Sequence, residues 1–278
     1  MLNIKIDKYD LSNEEELSIT NLLAQQDPKI SDDLEQIWYL MDMIWSNYGC
    51  DNIALNWNKI GQFYSDPVWL LNGFFIEQHP ESMQHRHAIS GWIQNNCNPQ
   101  VKIIDYGGGF GTLAIILSSK CSGASIDIFE PHPSNYALRR IKSYKNTRFI
   151  DKLESNNYDV LVSTDVLEHV ENPLDLLQDM VGSVKLDGYL IIQNCFYPVI
   201  KCHLPCTFYL RNTFDVFCKL YGLQKIGLCD GSGAVIYQKK YNTLPDKYRL
   251  KLYIFYAKVL NFCIRLKNKI NFLLSHIR

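Results

Sequence analysis

Residues 101–113 read VKIIDYGGGFGTL. An apolar run closes on Asp105, glycines follow at 107, 108, 109 and 111, and apolar residues resume. The spacing predicts a strand, a tight turn and a helix. Glycine removes the Cβ that would hold a ligand away from the main chain, and the N–H groups at a helix start point toward whatever lies there. A dinucleotide fingerprint beginning at Gly107 requires its third glycine at 112, where close helix packing needs it. Thr112 stands there instead. No Lys–Ser/Thr pair follows the glycines, which excludes a phosphate-binding P-loop. The pattern is acid-x-G-x-G-x-G, starting at Asp105.

Downstream, short apolar runs alternate with helical stretches. Strands are predicted at 101–105, 125–129, 147–150, 158–162, 189–193, 223–228 and 234–238. Leu174, Leu177, Val181 and Val184 give one intervening helix a buried stripe. Such alternation implies a mostly parallel sheet covered on both faces. The last two strands are joined only by CDGSG, residues 229–233, and should form an antiparallel edge hairpin. Upstream, residues 1–98 read as a helical cap. Its helices fall in 32–49, closing on Gly49, in 66–82, interrupted near Pro80, and in 81–96. The expected organisation is a cap and acceptor region over 1–98, a cofactor-binding domain over 99–240, and a basic amphipathic helix over 241–278.

The 278 residues are 47% hydrophobic and 21% charged, an ordinary globular composition. The net charge of −1 is unevenly spread, because residues 241–278 hold eight Lys/Arg and one Asp. That concentration gives the tail about +7, while the overall charge of −1 excludes a polyanion binder by bulk charge. Nine cysteines without a CxxC read as reduced thiols rather than a disulfide or zinc framework. The first residues lack a signal-peptide core, and no uncharged apolar run reaches membrane-span length. These features lead to the expectation of a cytoplasmic protein.

IDYGGGFGTL, residues 104–113, resembles the first motif of the class I S-adenosylmethionine-dependent methyltransferases. SIDIFEPHP, residues 125–133, resembles the second, and YDVLVSTDVLEHVENPLDLL, residues 158–177, resembles the fourth-strand segment. VKLDGYLIIQN, residues 184–194, resembles the entry to the fifth strand, with Gly188 in a turn. The segment CHLPCTFYLRNTFDVFCKLYGL, residues 202–223, resembles the stretch after the fifth strand, and the resemblance covers about residues 100–240 in the family's order. It implies a Rossmann-like, doubly wound α/β fold with a seven-stranded sheet whose last strand is antiparallel. It implies S-adenosylmethionine as cofactor, held by Asp105, Gly107, Gly108, Gly109, Gly111, Glu130, Pro131, Asp151, Thr164 and Asp165. In this assignment Glu130 accepts the ribose hydroxyls, Pro131 flanks the adenine and Asp151 meets its amine.

Transfer from a sulfonium depends mostly on in-line positioning, and a base matters when the acceptor is a hydroxyl. His169, His203 and Asp165 are the catalytic candidates. The expected site has no metal. If a divalent cation does bind, Asp165, Glu168 and His169 are the candidate ligands, by analogy with metal-using relatives. Gln78, His79, Glu81, His85, Arg86 and His87 offer a polar face for an acceptor. The expected reaction is O-methylation of a small molecule, sugar or glycan precursor. The alternatives are a metal-assisted RNA 2′-O-methyltransferase and a non-catalytic cofactor-binding scaffold. The excess of basic over acidic residues is confined to the tail, so nucleic acid is not the expected partner. Lys247, Lys251, Lys258, Arg265 and Lys269 fall on one stripe at 3.6-residue spacing. The tail over 246–277 is therefore expected to contact the body, a subunit or the inner face of a membrane.

Overall fold

A computed structural model describes residues 2–275. Five helices precede the sheet: α1 (Asn13–Leu23), α2 (Asp33–Asn47), α3 (Trp57–Tyr64), α4 (Pro67–Gln78) and α5 (Pro80–Asn96). Each start carries a side-chain cap. Ser12 and Glu15 close a reciprocal capping box on α1, while Asp32, Asn56 and Asp66 cap α2, α3 and α4. The interruption expected near Pro80 is a helix boundary. His79 closes α4 and caps α5, and Pro80 needs no partner for the N–H it lacks.

The remaining elements are β1 (Lys102–Tyr106), α6 (Thr112–Lys120), β2 (Ser125–Phe129), α7 (Asn135–Ile141), β3 (Thr147–Ile150), β4 (Tyr158–Thr164), α8 (Pro173–Ser183), β5 (Val184–Gln193), α9 (Phe214–Leu220), β6 (Leu223–Leu228), β7 (Val235–Lys239) and α10 (Lys247–Ser275). The strand order is β3-β2-β1-β4-β5-β7-β6. The strands β1 to β5 run parallel, and β7 pairs antiparallel with both β5 and β6. This is the seven-stranded doubly wound sheet expected, with its closing hairpin. The order reverses at β1 and β4, so a crevice opens at their carboxyl ends, where open α/β sheets bind ligands.

One correction concerns β5. Gly188 was expected in a turn before the strand, but β5 begins at Val184 and runs through it. Asp187 takes a left-handed φ of 61°, and the pairing with β4 shifts register between Tyr158 and Val160. The local kink is a bulge inside a continuous strand.

Alternation along β1 divides the core. Ile103 faces Ile126, Val160 and Ile191, covered by Leu113 and Leu117 of α6 and by Ile89 and Ile93 of α5. Ile104 faces the other side with Leu161 and Leu190, under Leu177 and Met180 of α8 and Phe217 of α9. Helices α1–α4 pack a separate core around Leu40, Trp45, Phe63, Leu71 and Phe74. Phe110 from the glycine turn and Tyr136 from α7 join that core. A Cβ at Gly73 of α4 would overlap the Phe110 ring, so α4 lies with bare backbone against the turn. The cap is thereby seated directly over the crevice.

Candidate active site

Between the cap and the carboxyl ends of β1, β2 and β4 lies a cavity of about 1310 Å³. The glycine turn forms its floor. Gly107 and Gly109 adopt φ values of 73° and 46°, in the left-handed region that L side chains rarely enter. A Cβ on Gly107 would overlap Val166, which follows β4. Glu130, just past β2, folds back over the turn. Its Oε2 accepts from the Gly109 N–H at 2.9 Å and its Oε1 from the His132 N–H at 3.1 Å. Gly107, Gly108, Gly109, Glu130, Pro131, Thr164, Asp165 and Asp105 all line the cavity.

Two of the predicted cofactor residues do not line it. Gly111 caps α6 from behind the turn, packed against Ile141. Asp151 is exposed past the end of β3. Of the polar face expected across residues 78–87, His85 and Arg86 of α5 reach the cavity. Gln78 bonds the Lys5 backbone instead, His79 caps α5, and the His87 carbonyl accepts from Lys120.

Charge is concentrated at the inner end. Asp105 is buried, and its Oδ2 has no hydrogen-bond partner. Burial pushes its carboxyl up to about 7, with Glu130 adding to the rise and Arg86 opposing it. Asp165 takes a left-handed φ of 55° where the chain leaves β4. Its carboxyl is also raised by its depth in the protein, against the pull of Arg86 and His85. Arg86 thus feels the charges of Asp105 and Asp165, yet among the described residues its hydrogen bond is to the Ser82 carbonyl, at 2.9 Å. Among the described residues it forms no ion pair within 4.0 Å. Spacing alone marks Arg86 as one of several polar residues over 78–87; its approach to Asp105 depends on how α5 lies against the sheet.

A second cluster lies beyond β4, where His169 and His203 line the cavity and Glu168 is fully buried beside them. The turn Leu167–His169 places Glu168 and His169, and His203 arrives from the segment after β5. Glu168 Oε1 accepts from the Cys195 N–H at 2.6 Å, and Oε2 has no partner. Burial, reinforced by the nearby Asp165 charge, pushes this carboxyl up to about 8. His169 Nδ1 lies 3.1 Å from the Cys202 carbonyl and His203 Nδ1 lies 2.8 Å from the Tyr197 carbonyl. Carbonyls only accept, so both histidines carry their proton on Nδ1 and keep an Nε2 lone pair. Burial, then the neighbouring His203, pushes His169 down to about 3; burial also lowers His203. Both rings are neutral at physiological pH. The rings meet edge to face at 4.9 Å, with Tyr64 and Trp69 of the cap packed edge-on to His169.

Glu168, His169 and His203 bring three ligand-type atoms within 4.8 Å of one another. This trio differs from the expected set by exchanging Asp165 for His203. A free Oε2 and two Nε2 lone pairs suit a divalent cation chemically.

The cap is locked to the turn by Glu77 of α4. Its Oε1 accepts from Thr112 Oγ1 at 2.9 Å and from Arg140 at 2.7 Å. Arg140 also lies 4.3 Å over the Phe110 ring. The threonine that breaks the dinucleotide fingerprint is thus the residue the cap holds.

Residues 75–203 match the family model described as a methyltransferase domain. That segment holds the glycine turn and strands β1 to β5, so the matched domain, the sheet order and the motifs all resemble the class I S-adenosylmethionine-dependent methyltransferases. The chain is 30% identical over 147 residues to a ubiquinone biosynthesis O-methyltransferase of Rickettsia typhi, covering 50% of this chain and 54% of that protein. It is 29% identical over 145 residues to the enzyme of the same name in Rickettsia felis, covering 50% and 55%. The chain therefore matches about half the length of these curated relatives. Among solved structures, a SAM-dependent methyltransferase from Aquifex aeolicus aligns with a TM-score of 0.47 and 15% identity, over 60% of this chain and 98% of that one.

Proposed function

We propose that this chain methylates a hydroxyl of a small molecule, using S-adenosylmethionine. The observation that carries the reading is the juxtaposition, in one cavity, of a cofactor cradle and two neutral histidines. The cradle fits the cofactor in three ways. The bare turn lets a ligand rest on main chain, and Glu130 retains acceptor capacity for ribose hydroxyls. The guanidinium of Arg86, without an ion pair, suits the methionine carboxylate, with Asp105 beside it for the ammonium. When bound, the cofactor supplies an electrophilic methyl on a neutral leaving group.

The chain's own work is positioning and proton removal. A hydroxyl seated against His169 or His203 gives its proton to an Nε2 lone pair as its oxygen attacks. Trp38, Trp57, Tyr64 and Trp69 line the acceptor side and suit the faces of a phenol or a sugar. The names of the two curated relatives, both O-methyltransferases of ubiquinone biosynthesis, favour an oxygen acceptor. A divalent ion, where present, would be held by Glu168, His169 and His203 and would polarise the acceptor oxygen.

The lining also bears on the alternatives. Its cations are Arg86 and Arg139, with Arg139 already paired to Glu15, against Glu14, Asp66, Asp105, Glu130 and Asp165. An acidic cavity of this kind opposes an RNA backbone. Its open volume does not match the scaffold alternative, in which side chains would fill the acceptor pocket.

The test is a screen for the demethylated cofactor product with phenols, sugar nucleotides, glycans and short RNAs, with and without added divalent ions. Turnover with a phenol or sugar is expected. Turnover with RNA alone, or with no acceptor, would overturn the reading.

A further inference from the structure

The helix α10 has features that methyl transfer does not use. Its 29 residues span about 43 Å. One face packs on the body through Leu250, Tyr253, Ile254 and Ala257, against the core that includes Tyr209 and Leu210. At 100° per residue, Leu252, Phe255, Val259, Phe262, Leu266 and Ile270 form a second apolar seam about 180° from that face. These six side chains are between 43% and 66% exposed.

Basic residues border the seam on both sides. Lys251, Lys258, Arg265 and Lys269 lie along one flank, with Arg249 and Lys267 along the other. There is no Asp or Glu anywhere from Lys247 to Ser275. This charge pattern decides between occupants. A second copy seated seam to seam would bring basic flanks against basic flanks, with no acid on either helix to pair them. An anionic lipid surface satisfies both features, since the seam enters the boundary between headgroups and acyl chains while the flanking cations reach phosphates. No helix among the described residues is long and apolar enough to cross a membrane. A helix that lies in the interface plane is the mode this composition fits. Residues 276 and 277 of the tail segment named from the sequence lie outside the described residues.

We propose that α10 docks this protein on an anionic bilayer, with the Leu252–Ile270 seam in the lipid and the two basic flanks on lipid phosphates. The proposal is independent of the acceptor and of catalysis.

The test is flotation of the full chain with unilamellar vesicles, of phosphatidylcholine alone or mixed with phosphatidylglycerol. Binding is expected only with phosphatidylglycerol, and should weaken as salt is raised. Each basic side chain near an anionic surface is worth about fivefold in affinity, so K251Q/R265Q/K269Q should weaken binding on the order of a hundredfold. F255S/F262S/L266S should abolish it. Unchanged melting temperatures would show that both variants keep a folded body, since the altered side chains are exposed. Three results would overturn the proposal: no flotation of the wild type, equal flotation on phosphatidylcholine alone, or flotation retained by both variants. A dimer in light scattering that F255S/F262S/L266S dissolves, without flotation, would assign the seam to a second copy instead.

Discussion

Replacing Asp105 with Asn should make the protein more stable, in a manner set by pH. Asp105 is 3% exposed, one of its oxygens is unpartnered, and its carboxyl sits at about 7 against an ordinary 3.8. Below pH 4 the group is protonated in both the folded and unfolded chain and carries no penalty. As pH rises from 4 toward 7, the unfolded chain ionises first while the folded chain keeps its proton. Stability therefore falls across that window and levels off above pH 7. A displacement of roughly three pH units corresponds to about 4 kcal/mol. Asparagine keeps the shape and does not titrate. Thermal and urea unfolding of both proteins between pH 4 and pH 8 would measure the difference. The two should agree within about 1 kcal/mol at pH 4, with D105N ahead by up to about 4 kcal/mol at pH 8. A gap independent of pH, or a variant less stable at pH 8, would refute the reasoning. The ionisable acid then has its value in the ligand: D105N should bind S-adenosylmethionine more weakly while melting higher.

Other substitutions probe the remaining parts. Gly107→Ala places a side chain at a left-handed φ and against Val166, so it should lose at least about 1–2 kcal/mol of stability, measured by urea unfolding. Glu77→Gln replaces the carboxylate that joins Thr112 to a mostly buried Arg140, and should cost about 2–3 kcal/mol in the same measurement. His169→Asn and His203→Asn separate a base from its neighbour. At least one should lower kcat about a hundredfold while cofactor affinity, followed by calorimetry, is retained. Full activity in both variants would remove histidine from proton transfer.

The sheet was legible in the sequence because its strands are short apolar runs between turns, and each predicted strand overlaps an observed one. The glycine turn was legible for the same local reason. Helices α1 and α3 were missed. The sequence of α1, NEEELSITNLL, is mostly polar and shows little periodicity, although Ser12 and Glu15 stand at capping-box spacing and mark its start. The eight residues of α3 are too few for a periodic signal. The start of β5 was misplaced because Gly188 reads as a turn wherever a bulge is not foreseen. The site itself was only partly legible. His169 and His203 were named singly, but their contact depends on the segment after β5 returning beside β4. Tyr64 and Trp69 reach His169 only because the cap seats on Phe110, and Arg86 approaches Asp105 only because α5 packs on the sheet. Such placements are tertiary, and no local pattern encodes them. Conversely, Asp151 has the right sequence position past β3 yet lies outside the cavity lining.

A nucleoside held between the glycine turn and Glu130 is the central expectation for this cavity. Calorimetric titration of S-adenosylmethionine into the wild-type chain and Glu130→Ala measures this directly. The wild type should bind saturably, and the variant, deprived of a charged acceptor worth about 1.5–3 kcal/mol, should bind at least tenfold more weakly. No saturable heat with the wild type, or equal affinity in the two proteins, would contradict it.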